Sequence, residues 1–177
     1  MSTPTATTKV QIYTTVDKTG WGPGPWQSEP DKMSWRDPTT GLPCLIVRNR
    51  AGNLCGYVGV PPAHPWHGKD YGACVDSGCR ADSHYDCTPD GKVSVHGGLT
   101  YADRCDIGAP EATGICHIPG PDNPDDVWWF GFDTYHAWDL SPAYTAYRAP
   151  SQDEVYRDVG YVRRETESLA SQLWGCR

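Results

Sequence analysis

Apolar and polar residues alternate from Lys9 to Val16, which predicts a first β-strand. Two further apolar runs, Pro43 to Arg48 and Leu54 to Val60, flank the turn-forming stretch Asn49-Arg50-Ala51-Gly52-Asn53 and predict a β-hairpin. Val93 to Tyr101 reads as a strand interrupted by His96-Gly97-Gly98, because glycines inside a strand mark a bulge or the close approach of another group. Ile115 to Ile118 is a short apolar run around His117, and Val127 to Thr134 is a longer one. In that longer run Val127, Trp129, Gly131 and Asp133 share one face while Trp128, Phe130 and Phe132 share the other. Both faces are apolar, which predicts a strand inside the sheet rather than at its edge. The period then changes. Val155, Val159, Val162, Leu169 and Leu173 trace a stripe at helical spacing, and Ser151 to Glu154 matches a capping box, so an amphipathic helix is expected over residues 152–174, ended by Gly175.

These elements add up to an α+β fold: one compact, loop-rich domain with a mainly antiparallel sheet and a C-terminal amphipathic helix. Residues 1–8 read as a disordered tail, 9–177 as the globular domain, and 72–92 as a Cys-rich insertion within it. Nineteen Gly and sixteen Pro, nearly all before residue 151, favour many turns over a helical bundle. Eight Trp and ten Tyr supply the apolar area that scarce Leu, Ile and Phe do not. Gly20 to Trp26, with its alternating Gly and Pro, reads as a rigid loop whose Trp21 and Trp26 either cap the core or wall a ligand cleft.

A formal charge of −7 excludes general binding to nucleic-acid backbones, which takes clustered Lys and Arg. Met1 to Thr8 is polar and has no apolar core, so it is read as neither a signal peptide nor a membrane anchor, and a cytoplasmic protein is expected. In that compartment clustered cysteines more often bind metal than form disulfides. Cys74, Cys79, His84 and Cys87 fall close together and can close a structural zinc site; incidental thiols or a local Cys74–Cys79 disulfide are the alternatives. Cys44, Cys55, Cys105, Cys116 and Cys176 are scattered, and most are expected to serve as small packing residues.

The chemistry-bearing residues beside the expected strands are His96, His117, Asp133, His136 and Asp139. A carboxylate at the end of a buried strand is costly unless paired or metal-bound, which singles out Asp133. His96, His117, Asp133 and His136 therefore form a candidate open site for zinc or another divalent metal. A metal-free alternative has His136 as base and Asp139 orienting it, with Ser141 or Thr134 near enough in sequence to be the nucleophile. The loop from Pro61 to Tyr71 carries His64, His67 and Lys69; His67, Lys69 and Arg104, with Trp21 and Trp26, are the candidate substrate contacts.

The segment His96-Gly97-Gly98-Leu99, followed by Asp103-Arg104, is similar to the His-Gly-Gly segment of calcineurin-like metallophosphoesterases, in which the histidine ligates a metal. The other motifs of that family are missing, so its fold is not expected. Through Trp21 to Trp26, Gly56 to Val60, Val95 to Tyr101 and Asp125 to His136, the chain resembles a family of conserved proteins encoded by bacteriophages, especially those of actinobacteria, and by some of their hosts. That resemblance implies a phage source and single-domain extent, and brings no activity with it. Two functions are expected in parallel. One is a divalent-metal-dependent hydrolase acting on a small-molecule substrate of phosphorylated or nucleotide-like type. The other is a non-enzymatic phage accessory protein that binds a host protein or small ligand and holds zinc only structurally.

Overall fold

The computed structural model describes residues 10–77, 84–119 and 124–176. Six strands, β1 (Gln11–Tyr13), β2 (Lys32–Arg36), β3 (Pro43–Arg48), β4 (Leu54–Val60), β5 (Tyr101–Arg104) and β6 (Trp128–Asp133), form one sheet in the order β1-β2-β3-β4-β6-β5. All five pairings are antiparallel. Among the described residues two α-helices accompany them, the one-turn α1 (Pro89–Lys92) and the long α2 (Val159–Gly175). The fold is α+β, as the residue pattern implies.

The hairpin of β3 and β4 has the bounds read from the sequence, and β6 lies inside the sheet between β4 and β5. Elsewhere the elements shift. The expected strand over 93–101 is irregular up to Thr100, and β5 begins only at Tyr101. Residues 115–118 are not a strand. β2 is additional; its alternation of Met33 and Trp35 with Lys32, Ser34 and Arg36 is visible in the sequence but short. The helix starts at Val159 rather than 152, because Asp158 takes the cap and accepts from Tyr161 N, while Ser151 N and the Arg148 guanidinium occupy the Glu154 carboxylate in a separate turn.

Strand alternation divides the core in two. On one face Ile46, Leu54, Val58, Phe130 and Phe132 pack against Val162, Leu169, Ala170 and Leu173 of α2. The helix comes close because Gly56 lacks a side chain: a Cβ there would lie 2.3 Å from Thr166 Oγ1. On the other face Leu45, Tyr57, Val127 and Trp129 are covered by the segment that follows β5. A Cys105–Cys116 disulfide closes that segment into a loop. It corrects the expectation that both cysteines merely pack, whereas Cys44 and Cys55 are buried free thiols. Lys32 is fully buried under the same loop and donates to the carbonyls of Glu111, Gly114 and Cys116 at 2.5, 2.7 and 2.9 Å. No described helix is long and apolar enough to cross a membrane.

Candidate metal centre

The site sits where β6 ends. After Asp133 the chain turns sharply: Asp139 N donates to His136 O at 3.1 Å, and Trp138 adopts φ 74° to close the turn. Buried Asn53, from the β3–β4 turn, holds this segment by donating to Thr134 O and Leu140 O. A parallel bridge from Asp139 to Val155 ties it to the approach to α2. His96 arrives from the loop between α1 and β5, fixed by its backbone N–H on the Glu165 carboxylate at 2.9 Å.

His96, His136 and Asp139 are thereby brought together, each offering one ligand atom, with all these atoms within 4.8 Å of one another. His96 Nε2 lies 2.7 Å from Asp139 Oδ2, and His136 Nδ1 lies 3.5 Å from the same oxygen. A zinc ion bound at about 2.1 Å holds neighbouring ligand atoms roughly 3.0–3.4 Å apart, a spacing that these two separations bracket. His136 Nδ1 is buried and makes no hydrogen bond among the described residues beyond this 3.5 Å approach to Asp139. The group can hold a metal ion.

Each of the three has a further partner behind it, as metal ligands usually do. His96 Nδ1 is 2.9 Å from the Tyr161 hydroxyl, Asp139 Oδ1 accepts from Arg157 Nε at 2.9 Å, and His136 Nε2 is 3.7 Å from Asp133 Oδ1. With a neutral imidazole, the geometry has His96 Nε2 donating to Asp139 and Nδ1 accepting from Tyr161. A metal held by Nε2 would leave the ring proton on Nδ1, where the Tyr161 oxygen would accept it. Burial opposes ionisation of Asp139, yet hydrogen bonds from His96, Arg157 and His136 N outweigh it and hold the carboxyl below its ordinary range. It is therefore an anion ready to meet a cation.

The remaining candidates are placed differently. Asp133 is beside the cluster but turns its oxygens to the Thr100 hydroxyl and Tyr135 N, each at 2.8 Å, so it backs His136 instead of joining the ligand group. His117 is not brought to the site. Its Nε2 lies 2.8 Å from Pro124 O and its ring packs on Trp129, on the sheet face opposite α2. His64 is buried beneath α2, accepting from Trp66 N and donating to Leu173 O, which is a packing role. Ser141 and Thr134 are buried, and the Thr134 hydroxyl is spent on Leu54 O, so neither is presented as a nucleophile.

In the Cys-rich insertion Cys79 lies outside the described residues, Cys87 is disulfide-bonded, and Cys74 is a free thiol. A disulfide sulfur is not a thiolate ligand, so Cys74, Cys79, His84 and Cys87 do not form the expected four-ligand zinc site, and the local Cys74–Cys79 bond is likewise absent.

His67 and Arg104 do share a pocket, with Trp128, Asp125 and Asp126. Arg104 pairs with Trp128 at the start of β6, however, about 17 Å of strand away from Asp133 at its end. Lys69 is at that same far end, where its carbonyl accepts from Trp128 Nε1. Trp26 is buried edge-on against Tyr156 and walls no cleft. Trp21 is half-buried, and its carbonyl accepts from the Thr145 hydroxyl, near the chain that leaves the site. Tyr161, Glu165 and Arg157 were not singled out by sequence reasoning; their signal was hidden in what reads as the solvated face of a helix. Comparison with protein-family models, with curated proteins and with solved structures found no match to this chain.

Proposed function

We propose that the protein is a divalent-metal-dependent hydrolase whose metal is held by His96 Nε2, His136 Nδ1 and Asp139 Oδ2. The observation that carries this reading is the convergence of three ligand atoms within 4.8 Å, each from a side chain steadied by a separate partner. Two imidazoles and one carboxylate suit zinc, and three protein ligands leave room for a water that the metal acidifies into a nucleophile. The cluster is open on the side of His136 and Asp133, whose side chains are 33% and 27% exposed, so water and a substrate can enter. Lys69 and Arg104 lie at the far end of β6, so the argument for a phosphorylated or nucleotide-like substrate loses its anion contacts. The Cys105–Cys116 bond fits an oxidising compartment better than a cytoplasmic one.

A second reading is favoured by one observation. The Asp139 side chain is only 2% exposed and joins three separate chain segments through His96, His136 and Arg157. That is also what a purely structural metal would do in a phage accessory protein that binds a host partner. Zinc titrated into metal-stripped protein is expected to bind at one equivalent, and His96→Ala or His136→Ala to abolish binding at native circular dichroism. No binding to the wild type would overturn both readings. With metal bound, turnover of a panel of activated esters, phosphoesters, amides and glycosides that a chelator stops without melting the fold supports the hydrolase. Chelation that melts the fold, with no turnover beforehand, supports the structural role.

A further inference from the structure

We propose that the aromatic residues bordering the His96–His136–Asp139 cluster, led by Trp138, form a stacking platform for uncharged sugar rings. This deepens the reading of that site as catalytic, since it names the substrate class, but the binding step stands on its own observations.

Trp138 carries two costs at one position. It is the non-glycine residue with positive φ among the described residues, and its side chain remains 66% exposed. The left-handed turn between His136 and Asp139 needs no indole; Gly or Asn closes such a turn at lower cost. Packing does not account for the ring either, because it pairs with no other described aromatic ring. A strained, exposed tryptophan between two candidate ligands is the kind of outlier from which function is inferred. Nearby in the chain Tyr135 and Tyr144 are exposed as a pair, ring centroids 6.4 Å apart and hydroxyls 3.2 Å apart, and Tyr147 is exposed as well.

The charge around these rings selects the ligand. Asp133 and Asp139 flank Trp138 in sequence, the Arg157 Nε is committed to Asp139, and the whole chain carries −7. In the metal-free protein a polyanion is repelled from such a surface. An uncharged sugar ring is not: its C–H face meets the negative face of an indole or phenol, and its hydroxyls donate to carboxylate and tyrosine oxygens. Aromatic faces with carboxylates beside them in the chain, and with the Arg157 Nε paired to Asp139, match that chemistry more closely than that of a nucleotide.

The test is isothermal titration and intrinsic fluorescence with N-acetylglucosamine oligomers of three and six units, and with AMP as an anionic ring for comparison. Wild type is expected to bind the longer oligomer more tightly than the shorter, and either more tightly than AMP. Trp138→Gly keeps the left-handed turn and removes the ring, so it should fold normally and weaken sugar binding about tenfold, whereas Tyr144→Ala should weaken it less. His96→Ala should lose metal yet bind sugar within about threefold of wild type, about 0.65 kcal/mol. Sugar binding without metal binding would leave the platform standing and remove the metal reading; metal binding without sugar binding would do the reverse. Absence of saturable sugar binding, an unchanged Kd in Trp138→Gly, or tighter binding of AMP would each overturn the proposal.

Discussion

The space that a side chain at Gly97 would fill is taken by the ring of His136: a Cβ built on Gly97 would fall 2.2 Å from His136 Cε1. Gly97 also has φ 70°, so the His-Gly-Gly segment does two things at once. It turns the chain so that His96 reaches Asp139, and it lets the second imidazole come close to its backbone. Gly97→Ala is expected to push His136 out of the ligand group and to add about 1–2 kcal/mol of backbone strain. Zinc affinity should fall at least tenfold while the far-UV circular dichroism spectrum keeps its native shape. Unchanged affinity would mean that His136 contributes nothing to the site.

Asp139 is the hub of the same cluster. Its removal leaves His96 and Arg157 without their acceptor in a mostly buried place, so Asp139→Ala should cost about 3 kcal/mol in urea unfolding and abolish metal binding. Asp139→Asn keeps the shape and an oxygen and should cost roughly half as much in stability while still binding metal poorly, since the anion is lost. Equal effects of the two variants would show that the lost charge, not the lost volume, accounts for the whole cost.

How much of this was legible beforehand depends on the range of each interaction. The hairpin, β6 and the two faces of β6 follow from alternation along a few residues, and His96, His136 and Asp139 all stand out as polar residues in or beside the expected strands. Their grouping was not legible, because it depends on a sharp turn through a left-handed tryptophan and on contacts from Tyr161, Glu165 and Arg157 far along the chain. Asp133 read as the first ligand because a carboxylate ending a buried strand is costly. Thr100 and the backbone of Tyr135 meet that cost instead. β2 spans only five residues, too short for its alternation to stand out, and the burial of Lys32 on its polar side comes from the distant 105–116 loop.

That lysine gives a further prediction. Three backbone carbonyls of the 105–116 loop converge on the Lys32 ammonium, and burial holds its pKa below the ordinary lysine value. Lys32→Met preserves the stem and leaves the carbonyls unpaired, for an expected loss of about 2–3 kcal/mol and faster proteolytic cleavage within residues 106–115. Reducing Cys105–Cys116 frees the same loop and should cost about 3 kcal/mol for a loop of this length. Because both devices fasten one segment, their effects should fall short of additive in a double-mutant cycle. Full additivity would place them in separate units of stability.

The buried charge cluster beside the start of α2, where Glu29 accepts from Val159 N, is expected to set the acid limit of the fold. Asp31 pairs with Lys18 at 2.7 Å and Arg48 at 2.8 Å, and its second oxygen accepts from the backbone N–H groups of Thr15 and Val16. Burial works against its ionisation, but Lys18, the two backbone donors and Arg48 together lower its pKa. A carboxyl whose folded pKa lies below its unfolded value stabilises the fold above the unfolded value, about pH 4, and loses that contribution as pH falls through the folded one. Urea unfolding at a series of pH values should therefore show wild-type stability declining below about pH 4. Asp31→Asn should be about 3 kcal/mol less stable at pH 7, where Lys18 and Arg48 have lost their anion, and should show a shallower decline in acid. If the acid slope is the same in both proteins, the proton uptake belongs to other carboxylates and the Asp31 pairing is not what limits the fold.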